Sequence, residues 1–211
     1  MLVGRNPEAT RRELLDSAAR LFAERGIAAV SLNEINTAAG QRNASALQYH
    51  FRSREGLLRA LLERHLAQLR ERRDELLGVA DAHPEKVRRA AEAFVLPLAG
   101  FLEEDWRGRA FLRIVAELMA DPSRSAPEVR ELLDATAADE AYARIWKHGR
   151  GVPAVLRPER MRVGGSMVLH ALADRARLLE HEGKPTQIAP ELFVGNLVDM
   201  FLAATLAPVG R

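Results

Sequence analysis

The chain's 211 residues, 47% hydrophobic and without cysteine, suffice for a substantial core in one or two domains and exclude disulfides and thiolate metal sites. The formal net charge of +2 is unevenly placed: residues 1–60 hold nine arginines against six carboxylates, a local +3, and the remainder is −1. No apolar stretch approaches the roughly 18 to 20 residues that span a bilayer, and the first nine residues are too polar and too short for a secretory signal, so a cytoplasmic protein with no membrane partner is expected.

The first element is TRRELLDSAARLFAERG. Thr10 and Glu13 have the spacing of a capping box, Leu14, Leu15, Ala18, Leu21 and Phe22 fall on one stripe, and Gly26 is a stop. Ser31 and Glu34 repeat the capping box and open a helix near Leu32. Its apolar residues Ile35, Ala38 and Ala39 lead to Gly40, where a left-handed residue is cheap only for glycine. A turn follows at Gln41, Arg42 and Asn43, with Asn43 as cap for a second short helix. That helix sets Leu47 and Phe51 one turn apart toward the core and leaves Ser45, Gln48 and Tyr49 outside. Two short helices joined by a glycine turn make a helix-turn-helix, whose second helix reads the major groove of DNA.

Ser53 can cap a long helix from Arg54 that keeps its apolar period through Leu61, Leu62, Leu66, Leu69, Leu76 and Leu77 and is ended by Gly78. Its start belongs with the reading unit and its end with the rest of the chain, so it is expected to join the two mechanically. Beyond it, breaks at residues 82–84, 105–108, 121–122, 149–153 and 182–185 delimit helices over about 84–104, 109–120, 127–148, 158–181 and 189–206. No segment keeps the period-2 alternation of a half-buried strand. The fold class is therefore all-α, with about nine helices: a three-helix helix-turn-helix domain over residues 1–54 and a helical body over residues 55–211.

Within the body, residues 93–102 are apolar on every face and contain Pro97 and Gly100. Such a segment is either a core helix with a proline kink or the wall of a cavity. In the last two helices the small residues Gly164, Gly165, Ser166 and Ala171 permit close approach, and Phe193, Leu197, Met200, Phe201 and Ala204 form a broad stripe. These helices suit packing on their own domain or a four-helix bundle with a second copy. The six histidines, at 50, 65, 83, 148, 170 and 181, include no i, i+4 pair and no H-E-x-x-H. There is also no G-x-S-x-G elbow and no phosphate-binding G-x-x-x-x-G-K-[ST] loop. No catalytic residue, metal or cofactor is expected, and the chain does not read as an enzyme.

The run LFAERG, the helix pair closing on YHF and the following S-R-E-x-L-L resemble the N-terminal domain of the TetR family of one-component transcriptional regulators, over about residues 8–62. The resemblance implies DNA contacts from Gln41, Arg42, Asn43, Ser45, Ala46, Gln48, Tyr49, His50 and Arg54. Of these, Arg42, Ser45, Ala46 and Gln48 are expected at base edges; Tyr49, His50 and Arg54, with the helix start at Thr10, are expected on phosphates. Two departures stand out. The turn is one residue longer than is usual for the family, and Ala46 and Gln48-Tyr49 replace the usual threonine and tyrosine pair, which implies a different base preference. The resemblance further implies an effector pocket in the body for a small apolar molecule, walled by Phe94, Leu98, Phe101, Phe111, Met119, Trp146, Met167 and His170. It also favours a homodimer through the last two helices, at Gly165, Leu169, Phe193, Leu197, Met200 and Phe201. The expected function is that of a repressor which binds a palindromic double-stranded operator and is released by its effector. A DNA-binding regulator without an effector is the alternative.

Overall fold

The computed structural model describes residues 6–41, 45–120, 126–149, 151–180 and 188–209, and every regular element among them is helical. The head is built from α1 (Pro7–Arg25), α2 (Leu32–Ala38) and α3 (Ala46–Phe51). Leu14, Ala18, Phe22, Ile35, Leu47 and Phe51 are buried together there. The capping box at Ser31 and Glu34 is present. The Ser31 N–H, the Ser31 hydroxyl and Arg25 together hold the Glu34 carboxyl down to about 2, so the cap is ionised at neutral pH. Gly40 takes a φ of 64°, the left-handed stop expected of it.

α1 begins one turn earlier than its sequence suggests. Asn6, not Thr10, is the cap: its side chain accepts from the Glu8 N–H, and Pro7 fills the first turn, where a missing N–H leaves nothing unsatisfied. Thr10 is consequently buried inside the helix, with its N–H bonded to the Asn6 carbonyl.

The body starts with α4 (Arg54–Ala80), capped by the Ser53 hydroxyl at the Gly56 N–H. Gly78 does not end this helix: burial of Leu77 and Ala80 carries it on to Ala80. α5 (Lys86–Glu103) and α6 (Trp106–Ala120) follow, then α7 (Pro127–Asp134), α8 (Ala138–His148), a 3₁₀ turn at Ala154–Leu156, α9 (Arg157–Glu180) and α10 (Pro190–Leu206). There are thus ten α-helices among the described residues, because the segment read as one helix over 127–148 is two. The chain breaks at residues 135–137, where Ala137 takes a φ of 57°. The carbonyls so released have donors from α4: Arg70 reaches Ala135 at 2.8 Å and Arg73 reaches Thr136 at 2.5 Å. α5 is the hub of the body, packing on α4, α6, α8, α9 and α10, and α6 lies between α9 and the head's α1. Among the described residues no helix is long and apolar enough to cross a membrane.

Candidate nucleic-acid interface

Burial of Leu47 and Phe51 sets the roll of α3, and the opposite side of a helix must then face out. Gln48, Tyr49 and Ser45 are exposed, Tyr49 by 79%. Ala46 and His50 are half-buried, and the Tyr49 ring meets the His50 ring edge-on at 5.0 Å. α3 ends on Arg52, whose N–H bonds the Gln48 carbonyl. α4 then starts so close that a Cβ at Gly56 would lie 2.1 Å from the Phe51 carbonyl oxygen. No side chain fits there. α3 is therefore fastened to α4 backbone against backbone.

Four of the expected contact residues stand apart from this outward set. Arg54 donates to the Ile27 carbonyl at 2.7 Å and to the Val30 carbonyl at 2.6 Å. A half-buried guanidinium with its terminal nitrogens so occupied pins the α1–α2 connection onto α4, which is a different task from phosphate contact. Gln41 turns its amide inward, donating to Glu13 at 3.2 Å and to the Ala39 carbonyl at 3.1 Å. Arg42 and Asn43 lie outside the described residues.

The head is also tied to the body by contacts that no local pattern announces. Glu117 on α6 accepts the Ile27 N–H on both carboxylate oxygens, at 2.9 and 3.0 Å. Arg107 forks onto Asp16 at 2.8 and 2.6 Å, and the Arg20 guanidinium lies 3.7 Å from the Trp106 ring centroid. Each joins residues some 90 positions apart, out of reach of periodicity arguments. Beside this seam a cleft of about 990 Å³ opens between α1, α4 and α6, lined by apolar residues such as Leu15, Leu61, Phe111 and Ile114 and by polar ones such as Arg12, Asp16, His65 and Arg107. The His65 ring stacks on Phe111 at 4.9 Å.

Residues 14–61 match the model of the family described as bacterial regulatory proteins, tetR family. These residues therefore form an N-terminal domain of the tetR-family type. The chain is also similar to the HTH-type transcriptional repressor KstR2 of Mycolicibacterium smegmatis, 36% identical over 81 residues, which are 38% of this chain and 39% of that protein. The whole chain is similar in fold to the TetR family transcriptional regulator PfmR from Thermus thermophilus. That match has 22% identity and a TM-score of 0.57, and covers 94% of this chain and 96% of that one. A second solved structure, AibR in complex with isovaleryl coenzyme A and operator DNA, matches at 20% identity and a TM-score of 0.56, covering 95% and 100%.

Against this TetR fold the remaining expected residues divide. Phe94, Leu98, Phe101 and Phe111 are buried in the body, with Trp146 and Met167 half-buried. Met119, at 40% exposure in the last turn of α6, and His170, bonded back to the Ser166 carbonyl on the outer face of α9, do not join them. Of the eight, only Phe111 lines the cleft. Phe94 is packed shut, stacked on Phe201 at 4.8 Å and edge-on to Tyr142 at 5.1 Å.

The expected dimer residues are mostly spoken for within one chain. Leu197, Phe201 and Leu169 are buried, and Gly165 lies under Phe94 and Tyr142. Phe193 is half-covered by the Arg175 guanidinium at 4.9 Å. Met200 alone of the six stays open, and it shares the outward face of α10 with Leu192; Val163 and Leu178 are exposed on α9.

Proposed function

We propose that the protein is a homodimeric one-component transcriptional regulator acting as a repressor. It binds a palindromic operator through two copies of α3 and is released by a small, mostly apolar effector; it works in the cytoplasm. The observation that carries the DNA reading is the exposed polar face of α3, with Gln48 and Tyr49 held outward by Leu47 and Phe51 and locked to α4 at Gly56. A glutamine amide in the major groove pairs with adenine at two atoms, and the small Ala46 suits a thymine methyl. Tyr49 and His50 suit phosphates, which position without specifying. The basic balance of residues 1–60 agrees with that task.

The test uses duplexes from the DNA upstream of the protein's own gene. A palindromic fragment with half-sites about 34 to 36 Å apart, or a multiple of that, should be preferred over random DNA, with log affinity falling linearly in log salt. Replacing Gln48 by alanine should weaken binding to that fragment by about 1 to 3 kcal/mol and hardly touch random DNA. Equal losses on both would assign Gln48 to positioning, and no preferred fragment would remove the repressor reading.

The effector half of the proposal rests on the cleft. Its lining sets the apolar Leu15, Ala19, Leu61, Phe111 and Ile114 beside charged groups such as Arg11, Arg12, Asp16 and Arg107, its volume suits a small molecule, and it touches both α1 of the head and α4 and α6 of the body. A ligand seated there prefers a wider cleft and so a different head position, which lowers DNA affinity by as much as DNA lowers the ligand's own. An apolar library screened by thermal shift should yield compounds that both stabilise the protein and release it from its operator. Filling the cleft with Ile114→Trp should abolish both effects. Hits that stabilise the Ile114→Trp variant equally would place the site elsewhere, and an absence of hits would favour a regulator without an effector.

A further inference from the structure

Arg73 sits on the apolar stripe of α4 and is only 1% exposed. Among the described residues no carboxylate forms an ion pair with it. Its donors go instead to three backbone carbonyls: Nε to Ala93 at 3.2 Å, Nη2 to Phe94 at 3.3 Å and Nη1 to Thr136 at 2.5 Å. Two of these acceptors have a reason to be there. Pro97 has no N–H, so the Ala93 carbonyl four residues before it has lost its helical donor. The Thr136 carbonyl is freed by the break between α7 and α8. The guanidinium also lies over the Phe94 ring at 5.2 Å, and that ring is stacked on Phe201 of α10. Burial pushes the Arg73 guanidinium down to about 10, which leaves it charged at neutral pH.

A leucine would fill this stripe at far less desolvation cost, since buried charges replaced by apolar residues of similar volume are often neutral or stabilising. What the arginine adds is direction. A rigid planar fork meets three carbonyls in one arrangement only, so it fixes both the tilt and the rotation of α4 against α5 and the α7–α8 break. From Arg73 to the first residue of α4 is 19 residues, or about 28 Å of helix at 1.5 Å each. Over that arm a tilt of about 10° moves the reading helix by about 5 Å, enough to take two heads out of register with their half-sites.

We propose that Arg73 is the positioning residue that sets the separation of the two reading heads, by anchoring the body end of α4 to the α5 carbonyls before Pro97 and to the α7–α8 break. The proposal rests on the dimeric operator-binding reading above. Because the chain has no cysteine, a single spin label at Glu24→Cys, on the exposed side of α1, reports the head-to-head distance in the full-length dimer. In the parent protein that distance should be one narrow population. Arg73→Met should broaden it and weaken binding to the upstream duplex about tenfold, a fold-change within the usual range of coupled residues. Pro97→Ala, which returns an N–H to the Ala93 carbonyl and so competes with Arg73, should broaden it in the same way. The double variant should lose little more than either single one. Narrow, unshifted distances in folded Arg73→Met and Pro97→Ala proteins, with only the melting temperature lowered, would make Arg73 a core residue and nothing else. If Arg73→Met does not fold, the Pro97→Ala distance decides alone. A parent protein showing no inter-protomer distance would remove the proposal together with the dimer reading, which separates that failure from a failure of Arg73.

Discussion

Replacing Phe201 by alanine is expected to lower the stability of the folded chain by about 3 to 5 kcal/mol and its melting temperature by about 6 to 20 °C. The ring is fully buried, stacked on Phe94 at 4.8 Å and edge-on to Tyr142 at 5.5 Å. Its edge also lies 3.1 Å from where a Cβ on Gly164 would stand. Truncation leaves a cavity walled by two aromatic rings and a helix backbone that cannot close on it, and such unrelaxed sites fall at the costly end of the range. Because the surroundings belong to α5, α8 and α9 of the same chain, the loss should register as stability, with the same association state in sedimentation at temperatures where the variant is folded. A variant that melts like the parent but runs as a monomer would put Phe201 at an interface between copies instead.

Phe201 also shows where local pattern stops being informative. The stripe Phe193, Leu197, Met200, Phe201 and Ala204 is legible as apolar, but it covers a wide arc, and an arc has two edges. Which edge meets the chain's own α5 and which faces outward depends on how α10 rolls, and that is decided by Phe94, a hundred residues upstream. Local signals fare better: the Ser31 and Glu34 cap, the Gly40 stop and the Ser53 cap each involve residues within three or four positions of one another, and all three are present. The start of α1 misleads because two caps compete, and Asn6 with Pro7 makes a longer helix than Thr10 with Glu13. Arg73 is legible in retrospect. The period Leu62, Leu66, Leu69, Leu76 and Leu77 has a gap at position 73, and an arginine on an otherwise leucine stripe announces a buried charge in need of acceptors. The bonds of Glu117 to Ile27 and of Arg107 to Asp16 leave no such trace, since each is made through tertiary contact alone by a surface-type side chain.

The outward edge of α10 gives the second large effect. Leu192 is 65% exposed and Met200 50%, two turns apart on one face. Val163 and Leu178 are exposed on the neighbouring α9. In the proposed dimer these side chains pack against their symmetry mates, so each substitution enters the interface twice. Leu192→Glu combined with Met200→Glu should leave the fold intact, since both positions face solvent in one chain. It should also bury like charges against one another across the two-fold axis. Desolvating an unpaired ion costs several kcal/mol, and with two copies the dimer dissociation constant should rise by roughly a thousandfold or more. Light scattering after gel filtration at micromolar concentration should then show a monomer. Binding to the upstream duplex should collapse although α3 is untouched, because a monomer holds one half-site and loses the effective concentration that the second head supplies. The paired readout separates this from misfolding: helical content and the melting transition should survive. A double variant that remains dimeric and keeps parental affinity would mean that the face carrying Leu192 and Met200 is open in the working protein, and that the two heads are joined through another surface.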